Sequence, residues 1–210
     1  TSFADVVVIR SPVEGAAEEA ARWSSVPVIN AGDGRNMHPT QTLADLATIT
    51  VRRGEIKNLR VGLCGDLKYG RTVHSIVYAL SKFPGIRFTL ISPKGLSMPE
   101  SVVEYMRANN ITYDITENLE SSIPELDILY MTRVQKERFS DPAEFGRYSG
   151  VYVLNREKLN SAKADLLVMH PLPRVDEITP DVDDDPRAAY FDQVKYGMYI
   201  RMALLTELLG

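Results

Sequence analysis

Short apolar runs alternate along the chain with longer stretches of helical periodicity. Residues 6–9 and 26–29 are rich in β-branched residues and predict buried strands. Residues 14–24 and 38–53 predict helices, and residues 30–36 have the composition of a loop. Repeated strand–helix units of this kind are typical of an α/β fold.

A second series of the same kind begins after breaks at Gly54 and Asn58. Strands are predicted at residues 59–64, 87–91, 111–115, 126–131, 150–154 and 166–169, and helices at 71–82, 99–108 and 196–209. Strands separated by helices predict parallel sheets, in which ligands bind beyond the carboxyl ends of the strands. The loops that follow strands are residues 10–12, 30–38, 65–71, 132–138 and 170–176.

Composition narrows the class of protein. With 210 residues, 44% hydrophobic and 25% charged, the chain can bury a sizeable core. Its net charge of −4 argues against a nucleic-acid-coating protein, and the longest apolar runs are too short to span a membrane. The single cysteine excludes an intrachain disulfide and a cysteine-built zinc site.

Arginines stand just beyond four predicted strands, at Arg10, Arg71, Arg133 and Arg174. The guanidinium group binds carboxylate or phosphate through two parallel hydrogen bonds. One arginine at such a place is usually a solvated surface residue, because charged side chains are mostly exposed. Four of them indicate a ligand with several negative charges, such as a phosphate together with carboxylates.

The loop at residues 65–72 has almost the spacing of a phosphate-binding loop. It reads Gly-Asp-Leu-Lys-Tyr-Gly-Arg-Thr, so Arg71 stands where G-x-x-x-x-G-K-[ST] has lysine. Bulky Leu67 and Tyr69 lie inside it, and no strand clearly ends in an aspartate that could hold magnesium. We expect a strand-to-helix turn whose arginine attracts anions, rather than a nucleotide triphosphatase.

Among the three histidines, His38 is the strongest candidate for chemistry. It opens a predicted helix after a strand-end loop, where it can donate a hydrogen bond to a developing oxyanion. Gln41 lies one turn further along and can meet the same ligand. His74 lies inside a helix and is expected to be structural. His170 precedes a proline-rich segment that lacks N–H donors and presents carbonyl groups to an amine.

Neither metal nor covalent chemistry is predicted. The histidines lack the spacing of a zinc site, and an acidic stretch lacks that of a calcium loop, which favours a solvated turn; that stretch comprises Asp181, Asp183, Asp184 and Asp185. Cys64 ends a buried-looking strand, and no G-x-S-x-G motif is present. The residues suit a mechanism that positions two charged substrates.

Five segments resemble the catalytic chain of the aspartate carbamoyltransferases. They are residues 30–34 (Asn-Ala-Gly-Asp-Gly), 38–43 (His-Pro-Thr-Gln-Thr-Leu), 65–75 (Gly-Asp-Leu-Lys-Tyr-Gly-Arg-Thr-Val-His-Ser), 130–138 (Tyr-Met-Thr-Arg-Val-Gln-Lys-Glu-Arg) and 170–178 (His-Pro-Leu-Pro-Arg-Val-Asp-Glu-Ile). They follow one another in order over nearly the whole chain. The related ornithine enzymes share the His-Pro-x-Gln element but typically carry His-Cys-Leu-Pro at the last segment, so the resemblance favours the aspartate enzymes.

The resemblance implies a three-layer αβα fold with parallel sheets, the Rossmann-like transcarbamoylase fold, as one complete domain and part of a second. It also implies the reaction. The α-amine of L-aspartate attacks the carbonyl carbon of carbamoyl phosphate, and the tetrahedral intermediate collapses to phosphate and N-carbamoyl-L-aspartate, a pyrimidine precursor. No cofactor and no metal enter this reaction.

Residue roles follow from the same resemblance. Arg10 is expected to bind the phosphate, His38 the carbonyl oxygen and Gln41 the carbamoyl amide, with Arg10 and His38 catalytic. The expected aspartate ligands are Arg71, Arg133, Gln135 and the backbone carbonyls of Pro171 and Leu172. Residues expected to interact during domain closure are Lys68, Tyr69, Arg138 and Glu144. Closure would exclude water and strengthen every contact.

The resemblance also divides the chain. Residues 1–49 are expected to be the C-terminal part of a carbamoyl-phosphate-binding domain, residues 50–190 the aspartate-binding domain, and residues 191–210 a helix returning to the first. The family's Ser-Thr-Arg-Thr-Arg motif and Ser/Lys loop, which precede this region, do not occur in the sequence. We therefore expect an incomplete site, an exposed apolar face on the last helix and little activity from these residues alone.

The expected assembly is a cytoplasmic homotrimer with shared sites, in some cases with regulatory chains, and without nucleic-acid or membrane partners. Two alternatives stay open. A non-catalytic dicarboxylate-binding or regulatory domain of the same fold would keep Arg71 and Arg133 without carbamoyl transfer. A generic nucleotide-binding α/β domain would use the loop at residues 65–72 and would require ATP binding.

Overall fold

Two parallel sheets organise the chain in this computed structural model, which describes residues 2–34, 37–135, 139 and 141–210. The smaller sheet pairs β1 (Val7–Ser11) with β2 (Val28–Asp33). The larger sheet contains β3 (Arg60–Cys64), β4 (Arg87–Ile91), β5 (Thr112–Thr116), β6 (Ile128–Met131) and β7 (Leu167–Met169). Its strand order is β5-β4-β3-β6-β7, with every pair parallel, which confirms the predicted parallel sheets.

Helices follow most strands. α1 (Ala16–Trp23) connects β1 to β2, and α2 (Pro39–Arg53) connects the two sheets. α3 (Arg71–Leu80) and α4 (Glu100–Ala108) follow β3 and β4. The remaining α-helices of the described residues are α5 (Leu119–Ser122), α6 (Pro142–Gly146) and α7 (Tyr190–Leu209). Short 3₁₀ helices lie at Lys94–Leu96, Ile123–Glu125, Lys158–Ser161 and Pro180–Val182.

The larger sheet is buried on both faces. Side chains of successive strand residues point to opposite faces, so each strand contributes to two cores. Leu63 and Tyr130 lie in the core beneath α3 and α4, whereas Cys64 and Met131 lie in the core on the other face. Short helices and irregular segments cover that second face. Burial on both faces explains why the central strands are continuous apolar runs, and the expected layered α/β fold is confirmed.

The strand order reverses at β3. From β3 the chain proceeds to β4 and β5 on one side, and then returns to β6 and β7 on the other. At such a reversal the loops that leave two neighbouring strands diverge, and a crevice opens beyond their carboxyl ends. β3 and β6 are paired from Val61↔Ile128 to Cys64↔Met131, so their following loops start at the same level.

Three sequence predictions of secondary structure are wrong in detail. Residues 150–154 form no strand, although Tyr152 and Leu154 are buried and Leu154 makes an isolated bridge to Ile178. The apolar pattern there reports burial against the sheet face, which an irregular segment achieves as well as a strand does. β2 continues to Asp33, into the predicted loop, and α7 begins at Tyr190 rather than at residue 196.

α7 packs along α2. Gly197 lies where an added Cβ would be 3.5 Å from the Cβ of Ala44, and Arg52 donates a hydrogen bond of 2.8 Å to Asp192. The apolar face expected on the last helix is present and exposed, at Phe191, Val194, Met198, Tyr199, Met202, Leu205, Leu208 and Leu209. Despite these residues, no helix of the described segments, α7 included, is long and apolar enough to cross a membrane.

We predict that Gly65→Ala severely destabilises the fold. Gly65 has φ +119°, and a Cβ added to it would lie 2.2 Å from the backbone oxygen of Thr132, where β6 ends. The free energy of unfolding should fall by about 3 kcal/mol or more, measured by denaturant titration. Gly150→Ala is the matched control, because φ is +69° there and nothing lies within 4 Å of the added Cβ. It should cost about 1 kcal/mol, and equal losses would show that close packing at Gly65 is unimportant.

Candidate active site

The residues predicted to bind substrate line one cavity. It has a volume of about 570 Å³ and opens at the carboxyl ends of β3 and β6, beside the ends of β1 and β2. Eight of its lining residues are those expected to contact substrate: Arg10, His38, Gln41, Arg71, Arg133, Gln135, Pro171 and Leu172. Residues from both sheets therefore meet in one place, as the strand-end argument predicts.

The wall nearest the small sheet carries Arg10, His38 and Gln41. Arg10 is an exposed residue of β1, and His38 is the N-cap of α2, directly before Pro39. The turn before His38 is held by the buried Asp33 carboxylate, which accepts the Met37 N–H at 3.2 Å. The backbone N–H of His38 donates to Ser75 Oγ at 3.2 Å, which ties this helix start to α3.

His38 is held in its neutral form. Burial, and then the positive charges of Arg71, Arg10 and Arg201, lower the pKa of His38 to about 4. Its Nδ1 atom is buried and has no hydrogen-bond partner among the described residues. A neutral imidazole carries one N–H donor and one acceptor, so this ring can donate to a carbonyl oxygen without adding a charge to the cavity.

Arg71 lies where α3 begins, against the small sheet. Its guanidinium group packs on Gly32, where an added Cβ would lie 3.0 Å from Cζ, and Nη1 donates to the Gly34 carbonyl at 3.2 Å. The φ of +113° at Gly32 also favours glycine. Gly32 thus allows Arg71 to approach the backbone closely.

The loop after β6 carries Arg133 and Gln135. Gln135 donates through Nε2 to the Tyr69 carbonyl at 3.4 Å, and Thr132 Oγ1 accepts the Asp66 N–H at 3.0 Å. These contacts join the loops that follow β3 and β6. The two loops of the crevice are therefore braced against each other, and Arg133 projects from a supported backbone.

The loop at residues 170–176, called the proline loop below, is organised by a buried histidine–glutamate pair. His170 Nε2 lies 2.6 Å from Glu177 Oε1, and His170 Nδ1 accepts the Leu172 N–H at 2.8 Å. Because Nδ1 accepts, Nε2 carries the proton and donates it to Glu177. Burial alone would raise the pKa of Glu177, but hydrogen bonds from His170 and backbone N–H groups hold it below its ordinary value. His170 thus shapes the segment containing Pro171 and Leu172.

A fully buried carboxylate, Asp45, lies behind Gln41. It accepts hydrogen bonds from Gln41 Nε2 at 2.8 Å, Gln193 Nε2 at 2.6 Å and the Tyr130 hydroxyl at 2.9 Å. Burial raises the pKa of Asp45 to about 7, and these three donors offset only part of that effect. Gln193 Oε1 in turn accepts the backbone N–H of His170 at 3.1 Å.

The prediction that four arginines serve an anionic ligand is wrong at Arg174. Its guanidinium group forms a two-pronged ion pair with Asp183 and donates to the Tyr190 hydroxyl at 3.2 Å. The prediction of a solvated acidic turn is wrong for Asp183, which is paired, and for the buried Asp185, which pairs with Arg187 at 2.7 Å. Asp181 and Asp184 are exposed, as expected. Sequence spacing does not reveal such partners, because each pair is formed across a turn.

The residues expected to act in domain closure are only partly described. Lys68 is exposed, with Nζ 5.0 Å from the centre of the Tyr69 ring. The Tyr69 ring meets Phe139 edge-on at 6.0 Å between centroids. Arg138 lies outside the described residues, and Glu144 is described only as a backbone position of α6.

The other residues considered for chemistry have structural surroundings. His74 Nε2 lies 2.7 Å from the Leu67 carbonyl, which confirms its structural prediction. Cys64 is fully buried, and burial raises the pKa of its thiol well above the ordinary value. Within the described ranges, no three histidine, cysteine or acidic side chains are grouped so that they could hold a metal ion.

The sequence does not reveal the residues that hold the substrate-binding side chains in place. Asp45, Gln193 and Glu177 are buried polar residues that hold Gln41 and the proline loop in place. For Asp45 and Gln193 the sequence signal is a polar residue inside an apolar helix pattern, and this signal does not identify a partner; Glu177 lies outside any helix. Thr72 and Thr132, which also line the cavity, were not singled out either.

The chain matches two models of one family. The Asp/Orn binding domain of the aspartate/ornithine carbamoyltransferases matches residues 57–208, and their carbamoyl-P binding domain matches residues 1–51. The aspartate carbamoyltransferase catalytic subunit of Clostridium novyi is 55% identical over 210 residues, covering 100% of this chain and 69% of that protein. The subunit of the same name from Bifidobacterium longum subsp. infantis is 56% identical over 211 residues, covering 100% and 66%.

Solved structures of aspartate transcarbamoylases have the same fold as this chain. The catalytic subunit of M. jannaschii aspartate transcarbamoylase has a TM-score of 0.91 at 50% identity, covering 99% of this chain and 67% of that chain. The Trypanosoma cruzi aspartate transcarbamoylase in complex with carbamoyl phosphate and aspartate has a TM-score of 0.93 at 40% identity, covering 100% and 68%. The family models, the identities and the structural matches agree with the cavity lined by the family's motifs. The chain therefore belongs to the aspartate/ornithine carbamoyltransferase family, among the aspartate carbamoyltransferase catalytic subunits.

Proposed function

We propose that the full-length protein transfers the carbamoyl group of carbamoyl phosphate to the α-amine of L-aspartate, in pyrimidine biosynthesis. The observation that carries the proposal is the convergence of Arg10, Arg71 and Arg133 with a neutral His38 on one cavity. Relatives of this chain are named for this reaction, and a Trypanosoma cruzi structure of the family contains both substrates.

The carbamoyl phosphate half of the site is the wall formed by β1 and α2. In this proposal Arg10 binds the phosphate, and His38 donates a hydrogen bond to the carbonyl oxygen as it gains negative charge in the tetrahedral intermediate. Gln41 holds the carbamoyl amide. The new N–C bond forms on the amine of aspartate, and the bond between the carbonyl carbon and the phosphate oxygen breaks. The amine gives up one proton, which leaves with the phosphate as hydrogen phosphate.

The aspartate half of the site is the wall formed by the loops after β3, β6 and β7. In this proposal Arg71, Arg133 and Gln135 bind the two carboxylates, and the carbonyls of Pro171 and Leu172 orient the attacking amine. Charge-assisted pairs of this kind are stronger than neutral hydrogen bonds, and in a closed site they act where water is excluded. We further propose that Lys68, Tyr69, Arg138 and Glu144 bring the two halves together.

Domain division and assembly are part of the same proposal. Residues 1–49 would form the C-terminal part of the carbamoyl-phosphate-binding domain and residues 50–190 the aspartate-binding domain, with residues 191–210 a helix returning to the first. The packing of α7 on α2 supports this division. Three copies with shared sites, alone or with regulatory chains, are the expected assembly in the cytoplasm.

The reaction is tested with the full-length protein. We expect N-carbamoyl-L-aspartate and phosphate to form from carbamoyl phosphate and L-aspartate. L-Ornithine should give no product, because its side-chain ammonium would face Arg71 and Arg133. Aspartate binding without turnover would instead favour the non-catalytic dicarboxylate domain, and turnover with ornithine would contradict the assigned substrate.

We predict that Arg133→Ala raises the KM for aspartate by about 10- to 150-fold, the cost of losing one charge-assisted hydrogen-bonded pair. The KM for carbamoyl phosphate should change little, because its ligands lie on the opposite wall of the cavity. Arg60→Ala is the control, since Arg60 pairs with Glu125 at the far end of β3. Unchanged aspartate kinetics in a folded Arg133→Ala protein would remove Arg133 from the site.

We predict that His38 makes the fold sensitive to acid. Its pKa is about 4 when folded against 6.5 ordinarily. Between these values the unfolded chain binds a proton that the folded chain does not, so the free energy of unfolding falls as the pH falls. In His38→Gln this contribution is absent, and the loss of stability on acidification through that window should be smaller than in the unchanged protein. Denaturant titration at both ends of the window measures the difference, and equal losses would contradict the prediction.

A further inference from the structure

The buried carboxylate of Asp45 joins two parts of the cavity wall. Its Oδ1 atom accepts from the amides of Gln41, on the same helix, and Gln193, on α7. Its Oδ2 atom accepts from Tyr130, on β6. Both Asp45 and Tyr130 are completely or almost completely buried, so water does not compete for these atoms. The donors to this carboxylate come from three separate elements of the fold.

The orientation of Gln193 is determined by the backbone. Its Oε1 accepts the His170 N–H at 3.1 Å, and a backbone N–H can only donate. The amide nitrogen of Gln193 must therefore be the atom that meets Asp45, at 2.6 Å. Tyr130 supplies a further donor to the other oxygen. Both oxygens of Asp45 thus act as acceptors, with donors placed by other parts of the fold.

The same logic determines the orientation of Gln41. When Asp45 is ionised, the atom of Gln41 within 2.8 Å of its Oδ1 must be the amide nitrogen, because an ionised carboxylate oxygen can only accept. Gln41 also lines the cavity. With its nitrogen bound to Asp45, Gln41 presents its carbonyl oxygen as the acceptor for a ligand.

We propose that Asp45 is a positioning residue that fixes the amide of Gln41 with its oxygen available to the substrate, so that the site selects an acyl phosphate bearing an N–H donor. The inference rests on the proposed function and deepens it. The NH₂ group of carbamoyl phosphate donates to this oxygen. Acetyl phosphate has nearly the same shape but carries a methyl group there, which leaves the oxygen unpaired.

The test compares carbamoyl phosphate with acetyl phosphate in the full-length protein. The KM for carbamoyl phosphate and the competitive inhibition constants of acetyl phosphate and inorganic phosphate are measured at saturating aspartate. The unchanged protein should favour the carbamoyl compound by about tenfold or more. In Asp45→Leu, Gln41 can turn, and this preference should fall to about threefold or less, while the constant for inorganic phosphate stays the same.

Asp45→Asn separates hydrogen bonding from charge. Its carbonyl oxygen can still accept from both glutamine amides, while its NH₂ donates to the Tyr130 oxygen, since a hydroxyl both donates and accepts. The preference for carbamoyl phosphate should therefore survive in Asp45→Asn. A loss as large as in Asp45→Leu would overturn the proposal.

Asp127→Leu is the matched control for loss of a carboxylate. Asp127 accepts the Arg60 N–H at 2.8 Å and Lys163 Nζ at 2.8 Å, and it precedes β6 at the end of the sheet away from the cavity. This variant should lose stability and keep the preference. Where Asp45→Leu does not fold, Asp45→Ala replaces it, with the same expected loss of preference.

A folded Asp45→Leu or Asp45→Ala protein that keeps the full preference for carbamoyl phosphate would overturn the role of Asp45 and leave the carbamoyl transfer intact. Failure of the unchanged protein to form N-carbamoyl-L-aspartate would overturn the proposed function and this inference with it. The two results are distinct, because the first is read from a ratio of constants and the second from product formation.

Discussion

The reversal of strand order at β3 is the constraint on which the site depends. Because β4 and β6 both pair with β3, the loops after β3 and β6 start side by side, and hydrogen bonds hold them together beyond the sheet. Polar side chains on these loops can therefore reach a ligand beyond the carboxyl ends of the strands. Gly65 makes the arrangement compatible with close packing, since only a residue without Cβ fits against Thr132.

The arginines differ in their surroundings. Arg174 and Arg187 pair with carboxylates nine and two residues away in sequence, and these pairs hold the segment between β7 and α7 in shape. Arg10, Arg71 and Arg133 line the cavity. Burial, and then the positive charges of Arg71 and Arg10, disfavour protonation of His38 and keep it neutral. The cavity thus gathers cationic donors for an anionic ligand while its histidine stays a neutral donor.

Much of this arrangement could be predicted from the sequence. The βα alternation predicts parallel sheets, and strand ends followed by Arg10, Arg71 and Arg133 predict their meeting place. The support could not be predicted, because the partners of Asp45 lie on elements far apart in sequence. Arg174 shows a further limit. It follows a predicted strand as the cavity arginines do, so its place in the sequence does not show that it pairs with Asp183 rather than with a ligand.

The network around Asp45 shows what such support costs the fold. A carboxylate removed from water is destabilised unless donors replace its hydration, and three donors here still leave its pKa at about 7. Between the ordinary value and about 7, the folded chain holds a proton that the unfolded chain has released, so this group lowers the free energy of unfolding as the pH rises. An apolar residue would pack there at lower cost but could not orient a neighbouring amide. Retaining an acceptor at this position therefore trades stability for a determined hydrogen-bond direction in the cavity, which shape alone cannot supply.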